Sequence, residues 1–197
     1  MIVVFIIVVL LLIFIFMKKN KNVYETAYDL GVNFLDNIEY SPNYAVMFDI
    51  DDTLLFSKNY KPIKPIIKLL GECNKRNITV IIITARDSMY TNETIDDLLH
   101  LDIYPKKFIF DAGFVPKNAV FYDYIYLRHS PKDNHEMFKS NMKEYFAKNN
   151  IFTIMSVGDN EIDIIGKYSG YGIKLPNVND PRLFHKNNFG QMVHVKI

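Results

Sequence analysis

Three short apolar runs constrain this chain most, because each is long enough for one buried strand and each stops abruptly at polar residues. The first, Tyr44-Ala45-Val46-Met47-Phe48, gives way to Asp49-Ile50-Asp51-Asp52-Thr53. The second, Ile78-Thr79-Val80-Ile81-Ile82-Ile83, closes on Thr84-Ala85-Arg86, and the third, Phe152 to Val157, closes on Gly158-Asp159. Runs without polar alternation suit strands covered on both faces, as in a parallel sheet. The segments between them carry helical periodicity. Together they predict a helix over 23–39, strand 44–49, helix 63–76, strand 78–83, helix 92–101, an aromatic-rich segment over 107–127, helix 133–148, strand 152–157, a short helix from Asn160 and strand 171–175. Strands alternating with helices imply an α/β fold of three layers, with a mostly parallel sheet between helices.

In such a sheet the crevice beyond the carboxyl ends of the strands is where ligands bind, and the polar residues fall there. Asp49 and Asp51 leave one strand together and repel each other in a poorly solvated site, unless a cation lies between them or one keeps its proton. Both remedies serve catalysis: Mg²⁺ takes one or two carboxylates together with phosphate oxygens, and a protonated acid can serve a leaving group. The Thr84 hydroxyl can donate to a phosphoryl oxygen without adding charge, or it can cap the next helix. Glycine at position 158 lets the chain turn at the strand end. Asp159 follows it, and Asp163 comes one helical turn later on the same face.

Asp49-x-Asp51-x-Thr53, the apolar strand closed by Thr84, and Gly158-Asp159-x-x-x-Asp163 resemble motifs I, II and IV of the haloacid dehalogenase superfamily of phosphohydrolases. Three further segments resemble its subfamily IIIB acid phosphatases, the plant vegetative storage and class B type. They are Ile83-Thr84-Ala85-Arg86, Phe138-Lys139-Ser140-Asn141-Met142-Lys143 and Ile173-Lys174-Leu175-Pro176-Asn177, and the likeness extends over residues 44–178. It implies a Rossmann-like domain with a small cap or none. It also implies Asp49 as nucleophile and Asp51 as general acid and base, with Thr84 and Lys139 holding the transferring oxygens. The expected cofactor is Mg²⁺, held by the Asp49 side chain, the Asp51 main-chain carbonyl and Asp159, with Asp163 behind them. Lys143 stands where the family has arginine, and an ammonium does not replace a guanidinium at a bidentate site. On the residues alone, Lys139 and Lys143 form an i,i+4 pair beside the apolar stripe of helix 133–148, a position that is usually solvated.

With 23 Lys and Arg against 22 Asp and Glu, the chain lacks the basic excess of a nucleic-acid surface. The resemblance implies a phosphorylated small molecule as the partner. A nucleic-acid 3′-phosphatase and a noncatalytic scaffold or storage protein on the same fold are the alternatives. The lone cysteine, Cys73, excludes an intrachain disulfide and reads as a small buried hydrophobe. The five histidines show no zinc-ligand spacing.

Residues 1–17 are apolar throughout, and at ~1.5 Å per helical residue they span about 25 Å, against a bilayer core of ~30 Å. Lys18, Lys19 and Lys21 follow directly. A cleaved signal peptide carries its charge before the apolar run and a small-x-small site after it. The expectation here is an uncleaved single-pass anchor with the catalytic domain in the cytosol; a secretory peptide, with a lumenal or secreted domain, is the alternative. The organisation is thus an anchor over 1–17, a basic linker and amphipathic helix over 18–40, and the phosphatase-like domain over 41–197.

Overall fold

The computed structural model describes residues 22–107, 115–130, 134–186 and 191–195. The apolar segment 1–17 lies outside them, and among the described residues no helix is long and apolar enough to cross a membrane.

The first helix, α1 (Val23–Asp36), starts where the Asn22 side chain accepts from the Tyr24 amide at 3.1 Å. Its buried residues Ala27, Gly31 and Leu35 recur at four-residue spacing and face the core. A β-carbon at Gly31 would collide with the Leu69 side chain, so glycine permits the close approach of α1 to α2 (Lys64–Lys75). Phe34 stacks on Tyr171 at 4.7 Å, which ties α1 to the sheet at that residue.

The strands are β1 (Tyr44–Phe48), β2 (Thr79–Asp87), β3 (Ile103–Pro105), β4 (Val120–Tyr122), β5 (Tyr124–Arg128), β6 (Phe152–Gly158), β7 (Tyr171–Lys174), β8 (Phe184–Lys186) and β9 (Met192–His194). The main sheet runs in the order β5-β2-β1-β6-β7-β8-β9. Its first five strands are parallel, and β8 and β9 add antiparallel at one edge. Strands β3 and β4 form a small parallel pair beside it. The remaining helices are α3 (Thr91–His100), α4 (His135–Lys148) and the short α5 (Glu161–Ile164).

Alternation along β1 divides the core. Val46 and Phe48 join the larger cluster with Leu69, Leu70, Val80 and Ile82, whereas Ala45 and Met47 meet Ile81, Ile83 and Phe146 of α4 on the opposite face. Burial on both faces explains why these strands read as unbroken apolar runs. Cys73 is fully buried in the larger cluster, and burial pushes its thiol up to about 12, out of the range of a reactive nucleophile.

The chain passes from β4 to β5 at Asp123, so Tyr122 is buried in the larger cluster, while Tyr124 and Tyr126 pack on Phe146 at 5.2 and 5.4 Å. Phe108, Phe110 and Phe114, in the same segment, lie outside the described residues.

Candidate active site

Connections leave β1 toward β2 on one side and β6 toward β7 on the other, which makes the β1/β6 junction the switch point of the sheet. Asp49 follows β1 and Asp159 follows β6 there. The strands stay joined to their ends, with the Asp49 amide donating to the Val157 carbonyl at 3.0 Å.

Asp163 reaches the same place from α5. One of its oxygens accepts from the Asn160 amide at 3.0 Å, which closes the first turn of that helix. The carboxylate packs directly over Gly158, where any β-carbon would overlap it. Glycine is therefore required for a close approach, whereas the turn expected from the sequence needs no left-handed backbone at this residue.

Oxygens of Asp49, Asp159 and Asp163 lie within 4.8 Å of one another, and all three residues are buried. Lys139, on α4, enters between two of them. Its Nζ donates to Asp49 Oδ1 at 2.7 Å and also to Asp163 Oδ1. Burial opposes the Lys139 charge, and the two carboxylates more than offset it, so its proton affinity rises above that of a free lysine. Three carboxylates facing one ammonium leave an excess of acid in a dry site. Burial, with Asp163 adding to it, pushes Asp49 up to about 8 against the pull of Lys139. For the same reasons Asp159 is pushed up to about 6. A hard divalent cation would relieve that excess, and the all-oxygen donor set suits Mg²⁺ or Ca²⁺ rather than a soft metal.

Two amides fix the direction of Asp159. Asn160 Nδ2 donates to its oxygens at 2.9 and 3.0 Å, and Asn177 Nδ2 donates to its carbonyl at 2.8 Å and to Oδ2 at 3.0 Å. Asn177 closes the Lys-Leu-Pro-Asn segment, so the signal for it was present in the sequence although its role was not.

Thr84 lies in β2, the strand that pairs with β1, is 1% exposed, and its Oγ1 accepts from the Arg86 amide at 3.2 Å. Asp51 stands apart from the three clustered carboxylates. Its side chain is gripped by Arg86 through Nε–Oδ2 and Nη2–Oδ1 contacts of 2.8 Å each, and Arg86 in turn reaches Asp97 of α3 at 2.7 Å. The sequence expectation for Asp51 as a ligand concerns its main-chain carbonyl and is independent of this pairing. Sequence reasoning quoted Arg86 in a motif but assigned it no task.

Lys143, one turn beyond Lys139, points away from the carboxylate oxygens. Its buried Nζ donates to the Asp163 carbonyl at 2.6 Å, to Ser169 Oγ at 2.9 Å and to the Ile165 carbonyl at 3.3 Å. It holds α5 and the following loop, a supporting role that motif spacing did not reveal.

No protein-family model and no curated protein sequence matches the chain. Solved structures do. The class C acid phosphatase from Bacillus anthracis aligns with a TM-score of 0.52 and 16% identity, over 73% of this chain and 64% of that one. The same enzyme with tungstate bound aligns with a TM-score of 0.51 at 16% identity over the same shares. The chain thus spans just under two thirds of the length of these structures, and what it shares with them is the fold.

Proposed function

We propose that this protein is a Mg²⁺-dependent phosphomonoester hydrolase of the acid phosphatase kind, working through an aspartyl-phosphate. The observation that carries the reading is the buried group of Asp49, Asp159, Asp163 and Lys139 at the switch point of a parallel sheet. The subfamily IIIB motifs and the acid phosphatase neighbours support it.

In this reading Lys139 and the Thr84 hydroxyl bind and orient the phosphoryl oxygens while the Asp49 carboxylate attacks phosphorus. Asp51 gives a proton to the leaving oxygen and later takes one from the water that cleaves the aspartyl-phosphate. Arg86 and Asp97 set the direction of the Asp51 carboxyl. Asp49, Asp159 and the Asp51 carbonyl would hold Mg²⁺, with Asp163 behind them, and the ion would supply positive charge against the phosphoryl oxygens. Such transfer needs mainly positioning and charge stabilisation, so a few rigidly held residues suffice.

The test is hydrolysis of a panel of phosphomonoesters by the full chain. Turnover that requires Mg²⁺ and stops with a chelator is the expected result; turnover unchanged by chelation would remove the metal from the reading.

The anchor belongs to the same proposal: residues 1–17 hold the protein in a membrane with the catalytic domain on the cytosolic side. Asn77-Ile78-Thr79 and Asn92-Glu93-Thr94 are glycosylation acceptors, and both asparagines are exposed. Expressed in a eukaryotic cell, the chain is expected to resist carbonate extraction and to show no glycosidase-sensitive shift. A shift lost in Asn92→Gln would put the domain in the lumen, and release into the medium would show cleavage.

A further inference from the structure

A cavity of about 520 Å³ opens beside Asp51, between the loop after β1 and the start of α3. Asp51 is the residue that serves the leaving oxygen, so whatever alcohol departs from phosphorus departs toward this cleft. Its charge is one-sided. Asp87, Glu93 and Asp97 line it against Arg86 and Arg128, three carboxylates to two bases, beside Asp51, which enters the reaction with its proton. Arg86 is already spent on Asp51 and Asp97, and Arg128 is buried with Asp87 as its register partner. Glu93, by contrast, is exposed at the mouth.

Two observations of a different kind point to a hydrogen-bond donor as the occupant. Asp87 Oδ2 and Thr94 Oγ1, both in residues that line the cleft, are buried with no hydrogen-bond partner among the described residues. Thr94 is fully buried and Asp87 is 9% exposed. Acceptors left in that state carry a cost that a bound donor removes. At the rim, Tyr60 and Tyr90 present largely exposed rings, whose faces attract a cation.

We propose that this cleft is the leaving-group subsite and that it selects phosphomonoesters whose alcohol bears a primary ammonium group. The inference rests on the phosphomonoesterase reading above. An ammonium brings positive charge and three donors to a cleft rich in acceptors, while a second anionic group is repelled by the same carboxylates. In the reaction, the phosphorus–oxygen bond to the aminoalcohol breaks as the bond to Asp49 forms, and the leaving oxygen takes the proton of Asp51. Water then cleaves the aspartyl-phosphate and returns a proton to Asp51, releasing inorganic phosphate.

The test compares O-phosphoethanolamine with 2-hydroxyethyl phosphate and phosphoglycolate, which differ at one end of an otherwise similar small ester. The full chain with Mg²⁺ is expected to prefer the ammonium ester over the hydroxyl ester by ~10-fold in kcat/KM, with the carboxylate ester last. Glu93→Gln should reduce that preference by about threefold, the scale of one exposed charge, and Glu93→Lys should reduce it further. Calorimetric binding of the same esters to the Asp49→Asn chain separates the two readings. Turnover of all three esters alike keeps the phosphatase and overturns the subsite. Selective, Glu93-dependent binding without turnover in the wild-type chain upholds the subsite and overturns the catalytic reading. Neither turnover nor selective binding overturns both.

Discussion

Lys139 and Lys143 lie one turn apart on α4, are both buried, and have opposite electrostatic fates. Lys139 meets two carboxylates and holds its proton more tightly than a free lysine. Lys143 meets two carbonyls and a hydroxyl. Burial, reinforced by Lys139 although opposed by Asp163, pulls it down to about 7. Burial alone therefore does not decide whether a lysine stays charged; the formal charge of its partners does. The first lysine is placed to meet an anion, and the second to tie backbone together.

Removing the anion from the first lysine is the strongest way to break this contrast. Asp49→Asn leaves Lys139 with Asp163 alone and takes away the nucleophile, so turnover should fall by at least ~10³-fold with no phosphoenzyme trapped on acid quench, since an amide cannot form the acyl phosphate. Near-wild-type turnover would reassign the nucleophile. Lys139→Met comes next, with a loss of ~10²-fold or more in kcat, the scale of one lost transition-state donor. Folding should be largely retained, because an unbalanced carboxylate cluster can be relieved by Mg²⁺.

Lys143→Met sharpens the comparison from the other side. Its buried acceptors lose their donor, so stability to urea should fall by about 1–3 kcal/mol, while kcat should fall less than in Lys139→Met. Equal kcat losses in the two variants would erase the distinction drawn here.

The smallest effect is in the pH dependence of melting. Asp49 and Asp159, at about 8 and about 6, lie above the ~3.9 of a free aspartate, so the folded chain binds more protons in that window. Their contribution is complete below about pH 3.9 and is lost as pH rises through 6 and 8. Lys143, at about 7, lies below the ~10.4 of free lysine, so its contribution is complete above about pH 10.4 and is lost as pH falls through 7. In chelator, Tm should therefore decline from pH 5 to a minimum near pH 7 to 8 and recover above it. Mg²⁺ should raise Tm more at pH 8 than at pH 5, because the carboxylates must be deprotonated to hold it. Lys143→Met should abolish the recovery on the alkaline side.

Much of this was legible in the sequence, for a physical reason: β1, β2 and β6 are covered on both faces and write their burial as continuous apolar runs ending at Asp49, Thr84 and Asp159. Other features leave weaker marks. Strands β8 and β9 are three residues each and partly exposed, too short and polar to stand out from a loop. Strand β2 continues past Ile83 to Asp87 because its pairing with β5 shifts register there. The two lysines of α4 interrupt its apolar stripe, so their burial depends on Asp163, which sequence periodicity cannot see. Arg86 depends likewise on Asp51, 35 residues away.

Asp163 carries a consequence for the way such a chain can change over time. One oxygen holds Lys139, the other holds the Asn160 amide, its carbonyl holds Lys143, and its bulk fills the space over Gly158. Four attachments converge on one acid that also faces the proposed cation site. Mutations that silence chemistry and spare architecture are open at Asp49, but closed at Asp163. A lineage that gave up hydrolysis and kept the protein as a store or tether would shed the nucleophile and retain this aspartate. In the proposed reading its survival in a relative is thus no sign of activity, whereas the loss of Asp49 marks the loss of hydrolysis.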